Sequence, residues 1–354
     1  SSPGSSNNPL PVQDYRIIKP NPVLFLMGHR VIYLDTAAGI MLTYVIVYHT
    51  WMWSNLPLDV FWVRCLSFCM PWFFFKGGLV YRRKEIMTVV KDGWKRLMIP
   101  YIVFTLIGSV FLWLPMIVNG SFRFSQAIIS SFRDIIELGS AYGNLALWFL
   151  LSLFVVRILF AVIQTRVSRK SLWLTIALPI LFHLFKGNLN IDFPFYCSNI
   201  LSGLAFYTLG FLLKDFKPSV LLFMSFMLVY MSSVCFFPQM VDMRSDTITS
   251  GCYIGWITMS LIGIVVINHL CRIFFNFDNL ISWVGKNAMP FYCWHLIVLK
   301  VISFFKLSAF MSNNWYFILQ LTIMAISLPA LYFLQLRFEK LLHKSTVESG
   351  SGVC

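Results

Sequence analysis

A polytopic, all-α membrane helical bundle is the fold class this sequence predicts, on three observations. Hydrophobic residues make up 58% of the 354 and charged residues only 12%, where a water-soluble domain carries about 25% charge. So few charges cannot cover a soluble surface of this size. Apolar stretches near the ~20 residues that cross a bilayer as helix recur from one end of the chain to the other. Cations gather in alternate loops between them, the pattern of the positive-inside rule. The net charge of +14 therefore belongs to cytoplasmic loops and is no sign of nucleic acid.

Residues 1–29 open on a Ser/Gly/Asn/Pro-rich run, Ser1 to Asn8, without the apolar core of a cleaved signal, and read as a disordered or cytoplasmic tail or a processing scar. Residues 30–340 form the expected membrane domain, and 341–354, with SGSG at 349–352, a second linker-like tail. Within the domain the apolar stretches lie at roughly 33–53, 58–76, 98–118, 145–163, 171–185, 199–213, 218–237, 251–270, 288–306 and 315–336, about ten in all. Every even-numbered exit is basic, the second most of all with Lys76, Arg82, Arg83, Lys84, Lys95 and Arg96. The odd loops hold most isolated acids, Asp59, Asp134, Asp192, Asp242 and Asp246 among them, so both termini are expected in the cytoplasm. The fifth and sixth stretches are short, and Pro179 interrupts the fifth. In the outer loop 119–144, IISSFRDIIELG has helical apolar spacing and predicts a surface helix. The segment Arg82 to Arg96 has the same character, with Ile86, Val89, Val90, Trp94 and Leu97 on one side. The eight cysteines are scattered with no C-x-x-C pair and read as small buried hydrophobes; only Cys235 and Cys252 are placed for an external disulfide. No metal-ligand, P-loop or dinucleotide pattern occurs.

An ionisable side chain inside a bilayer is costly and usually faces the bundle interior, so each one is a candidate for function. The first span, YLDTAAGIMLTYVIVYHTW, holds Asp35 near its cytoplasmic end and His49 near its outer end. Fourteen helical residues rise about 21 Å and return to within roughly 40° of one face, so the two line one wall without touching. Asp35 equally suits the free N–H groups of a helix start, and His49, close to Trp51 and Trp53, an aromatic interface belt. His295 falls about a quarter of the way into the ninth span, with Lys300 about 7.5 Å deeper and in need of a partner or a watery cavity. His183, His269, Arg64 and Arg157 lie nearer span ends, where snorkelling accounts for them.

Six stretches stand in a telling order: YLDTAAGIMLTYVIVYH (Tyr33 to His49), MPWFFFKGG (Met70 to Gly78), KRLMIPYIVF (Lys95 to Phe104), LWFLLSLFVVR (Leu147 to Arg157), LAFYTLGFLLKD (Leu204 to Asp215) and GKNAMPFYCWH (Gly285 to His295). Together they resemble the signatures of the acyltransferase 3 family of integral membrane acyltransferases, over about residues 30–340. The ordered set is far more specific than any one piece.

The resemblance implies an inner-membrane O-acyltransferase that carries an acyl group, most often acetyl from cytosolic acetyl-CoA, to a hydroxyl of a cell-surface or lipid-linked polysaccharide. Its expected partners are the acyl-CoA donor, a carbohydrate acceptor and the lipid bilayer. It makes His49 the catalytic residue, with Asp35 and His295 supporting it, and assigns the donor's phosphates to Arg96 and Lys95, with Arg82 and Arg83 nearby. An imidazole near neutrality can take the hydroxyl proton or relay the acyl group. Trp148 and Asn287 are expected to line the cavity. One position departs from the family: many members carry Arg eleven residues before the histidine, and here that residue is Ala38. Lys76, in a slot usually apolar, is the expected replacement cation and joins the donor-binding set. Two other classes fit a ten-span chain: a proton-coupled transporter or flippase of a small metabolite or glycan precursor, and a scaffold that has lost activity. Against the carrier, no carboxylate lies mid-span and no paired hydrophobic segments are interrupted in corresponding places.

Overall fold

The computed structural model of the protein describes residues 31–57, 60–189 and 197–350, and these are nearly all helix. In chain order the helices are α1 (Ile32–Trp53), α2 (Phe61–Cys65), α3 (Cys69–Leu79), α4 (Ile86–Gly93), α5 (Ile99–Val118), α6 (Phe124–Leu138) and α7 (Trp148–Arg166), continuing with α8 (Leu174–Leu189), α9 (Cys197–Leu212), α10 (Val220–Phe236), α11 (Tyr253–Phe274), α12 (Leu280–Lys286), α13 (Ala288–Phe304) and α14 (Asn313–Gly350). Five segments are helical, apolar and at least 18 residues long: Ile32–Trp53, Ile86–Val118, Phe124–Arg166, Tyr253–Phe274 and Asn313–Arg337. Counting α12 and α13 as one span, bent by 88°, makes six. Shorter apolar helices at Ser171–Phe185, Asn199–Leu212 and Val220–Phe236 stand where three more crossings are predicted.

Around 58–76 the predicted single helix is broken into α2 and α3, and the expected Asp59 lies outside the described residues. Pro71 accounts for the break, because its ring and missing N–H are best tolerated in the first turn of a helix, where α3 places it. The predicted surface helix at 124–138 is present and ends on Gly139 at φ 68°, whose carbonyl accepts the Tyr101 hydroxyl at 3.0 Å. Of the side predicted for the Arg82 to Arg96 segment, Val89 and Leu97 are buried while Ile86 and Trp94 are exposed. Cys235 and Cys252 are exposed free thiols, not a disulfide.

α5 shows the solvent this fold was built for. Ile102, Leu106, Val110, Leu114 and Ile117 are exposed along one stripe, while Thr105, Gly108 and Ser109 are buried. Water would drive the opposite arrangement; lipid tails do not, so small and polar residues take the helix contacts. Close crossings follow from the same logic. A Cβ added to Gly285 would lie 1.8 Å from the Asp35 carbonyl oxygen, and one added to Gly39 would lie 2.0 Å from that of Ile281, so α12 touches the first half of α1 backbone to backbone. α3 and α9 meet in the same way at Gly78 and Gly210.

One feature has no counterpart in the sequence reading. Met240–Asp242 and Thr247–Ser250 pair as an antiparallel hairpin between α10 and α11, with Asp246 at φ 53°. Asp tolerates that left-handed conformation better than most residues.

Candidate active site

His49 is half-buried on α1, and its ring faces that of His295 on α13, with centroids 5.3 Å apart and planes at 36°. The sequence placed one near the outer end of its span and the other near the inner end of its own. Gly39 and Gly285 reconcile the two. They pin α1 to α12 at one level, and α13, leaving the bend that follows α12, brings His295 to His49, each ten residues past its glycine. His295 is fully buried, and its Nδ1 stands 2.6 Å from the Tyr292 carbonyl oxygen. A carbonyl only accepts, so Nδ1 carries the hydrogen and Nε2, which has no partner among the described residues, presents a lone pair. Tyr48 and Tyr292 flank the pair at 5.6 Å from His49 and His295 respectively. The buried Tyr292 hydroxyl donates to the Ala146 carbonyl.

Asp35 and Lys76 meet at the other end of α1. Lys76 Nζ lies 3.5 Å from Asp35 Oδ1, donates to the Leu34 carbonyl at 3.2 Å and sits 5.5 Å over the Trp72 ring. Asp35 and Ala38 are both buried. Lys76 thus reaches the N-terminal part of α1, the part that also holds Ala38. Asp35 does not join the histidines: they are separated by most of the helix, as the spacing predicts.

Lys95 and Arg96 stand exposed on a π-helical turn, Trp94–Met98, that joins α4 to α5. Pro100 explains the wide turn: it cannot donate to the carbonyl four residues back, and the Ile99 N–H reaches Trp94 instead. Arg82 and Arg83 are exposed on the coil before α4, where Lys84 pairs with Asp92 at 2.6 Å. Arg96 and Arg157 both act electrostatically on Asp92. The half-buried Arg157, assigned by sequence to snorkelling, therefore joins this basic rim and also contacts the Tyr207 hydroxyl.

A family model described as an acyltransferase domain matches residues 31–334, nearly the whole chain. The chain belongs to the acyltransferase 3 family. No curated protein and no solved structure matches it.

For an acyltransferase of the membrane kind, the arrangement offers an imidazole pair inside the bundle and a cationic rim where α4 meets α5. Trp148 is buried against Phe149, whereas Asn287 bonds the Trp283 carbonyl and the Tyr332 hydroxyl, each at 2.9 Å. Asn287 lines a cavity of about 240 Å³ with Lys286, Met289 and Tyr332, and that lining holds neither histidine. Lys300 finds a partner in the face of Tyr142, 5.6 Å from its Nζ.

Sequence reasoning missed what the hairpin contributes. Arg244, whose carbonyl accepts from Asn199 Nδ2 at 3.3 Å, acts electrostatically on both Tyr48 and His49. Asp246 is buried beside Ser202 Oγ at 3.3 Å and His183 Nδ1 at 3.7 Å, and His183 stacks on Tyr253 at 4.4 Å. The only signal was a loop with charges among β-branched residues, RSDTIT, between two apolar stretches.

Proposed function

We propose that the protein is an inner-membrane O-acyltransferase. Its donor is cytosolic acetyl-CoA and its acceptor a hydroxyl of a cell-surface or lipid-linked polysaccharide. The single observation that carries this reading is the facing pair His49 and His295 inside a chain of the acyltransferase 3 family.

His49 is the general base. It takes the proton of the acceptor hydroxyl as that oxygen bonds to the acyl carbon; the C–S bond breaks, and the proton leaves with the departing thiol. His295 is a positioning residue. With Nδ1–H held by the Tyr292 carbonyl, its lone pair on Nε2 is available to orient the partner ring or a hydrogen-bond donor of the substrate. Lys95, Arg96 and Arg157, with Arg82 and Arg83 beside them, suit the phosphates of the donor's nucleotide end, and Lys76 supplies the cation that Ala38 lacks. The reading includes about ten crossings, with both termini in the cytoplasm. Cations then face the nucleotide on one side of the membrane while the histidines open toward acceptors on the other.

The test is transfer of radiolabel from acetyl-CoA to glycan in membranes carrying the wild type or His49→Ala. General base catalysis is worth about 10²–10⁴-fold, so labelling by His49→Ala should fall at least about 100-fold. Equal labelling by both proteins would remove His49 from the chemistry. Substrate accumulation without covalent label would mark a carrier instead.

A further inference from the structure

Three buried hydrogen-bonding side chains outside the histidine pair lie along the packing of α5, the 3-10 turn Tyr142–Leu147 and α13. Gly143 lies against Gly108 so closely that a Cβ on it would come within 2.0 Å of the Gly108 oxygen. That approach carries Asn144, only 1% exposed, into the bundle, where Nδ2 donates to the Cys293 carbonyl at 3.0 Å. The carbonyl fixes which way the amide faces. Asn144 Oδ1 is then buried with no hydrogen-bond partner among the described residues. Thr105 lies one helical turn before Gly108, on the same face of α5, and its hydroxyl is likewise buried and unpartnered. Neighbouring Phe104 packs edge-on against Trp294 at 5.0 Å, and the Trp294 Nε1–H is a third such atom.

Buried polar groups are ordinarily paired, because leaving one unpaired costs about 1–3 kcal/mol. Three along one packing seam call for a ligand of matching chemistry. The set offers a bare acceptor, a bare donor and a hydroxyl that serves as either, which is the complement of secondary amides. The arm that links nucleotide to sulfur in an acyl-CoA carries such amides. The place also fits: Thr105 lies nine residues beyond Arg96 along one helical run, about 14 Å, and Trp294 immediately precedes His295.

Resting on the acyl-transfer reading, we infer that Asn144, Thr105 and Trp294 form an amide-recognition site that grips the donor's arm between the basic rim and the histidine pair. Trp294→Phe keeps an aromatic ring against Phe104 and removes the N–H together with part of the ring's bulk; Thr105→Val is isosteric and removes only the hydroxyl, which makes it the cleaner of the two. Both are compared with the wild type as full-length protein in lipid nanodiscs. Each should lower kcat/KM for acetyl-CoA about tenfold, which corresponds to about 1.4 kcal/mol. The thermal midpoint should hold, as should the inhibition constant of adenosine 3′,5′-bisphosphate, which has the nucleotide but no amide. An unchanged kcat/KM in both variants, or a parallel loss of nucleotide binding, overturns the amide site. A folded wild type that transfers no acetyl overturns the acyl-transfer reading itself.

Discussion

Lys76 and Ala38 are best understood together. A lysine at the inner end of a span needs a counter-charge, and Asp35 stands 3.5 Å from it, while the Leu34 carbonyl takes a hydrogen bond at 3.2 Å. If Lys76 supplies the cation that the family usually draws from the position of Ala38, then Lys76→Met should lower kcat/KM for acetyl-CoA at least about tenfold, chiefly through KM. A Lys76→Arg variant should retain most activity. Full activity of Lys76→Met beside an inactive His49→Ala would break the substitution idea, and steady-state kinetics decides it. At this scale the candidates were legible because a bilayer makes every charge and imidazole conspicuous. Their pairing was not. That His49 meets His295 depends on Gly39 touching Gly285 across 246 positions of sequence, and no local pattern encodes which two helices adjoin.

The helices themselves were read from apolar length and spacing, and helix is present at each predicted stretch. What escaped were departures from regularity, each set by a few residues: the break before Pro71, the π turn before Pro100, and a hairpin whose strands are three and four residues long. The contact of α12 with α1 carries the most consequence, since it sets the level of both histidines. Gly285→Ala would bring a methyl to 1.8 Å from the Asp35 carbonyl oxygen and force the helices apart. Overpacking of this kind costs about 1–3 kcal/mol, so the thermal midpoint in detergent should fall by several degrees and acyl transfer with it. Gly120→Ala is the control, for a Cβ there meets nothing within 4 Å and the strain comes only from φ 67°. It should cost about 1–2 kcal/mol through that backbone strain alone and leave transfer intact. Similar losses of transfer in both variants would mean that the α1–α12 contact has no special role.

At the scale of the molecule, the open question is the number of crossings and their direction. Five or six segments satisfy the length of a full span, and three shorter apolar helices and the α2–α3 pair stand where the remaining crossings are predicted. Short helices cross where the bilayer thins around them or where neighbours shield their ends. On the charge pattern, Arg82, Arg83 and Lys84 are predicted inside and the ends of α10 and α11 that carry Cys235 and Cys252 outside. Both cysteines are exposed free thiols and serve as native reporters. In intact cells a membrane-impermeant maleimide should label the wild type more strongly than the Cys235→Ser/Cys252→Ser double variant. A cysteine placed in that background by Lys84→Cys should react only after permeabilisation. The reverse accessibility would invert the molecule and set the basic rim on the side where no cytosolic donor exists. Labelling of all three sites from outside would mean that fewer than ten segments cross. Either result removes the division on which transfer across the bilayer depends, cations on the donor's side and the imidazole pair open to the acceptor's.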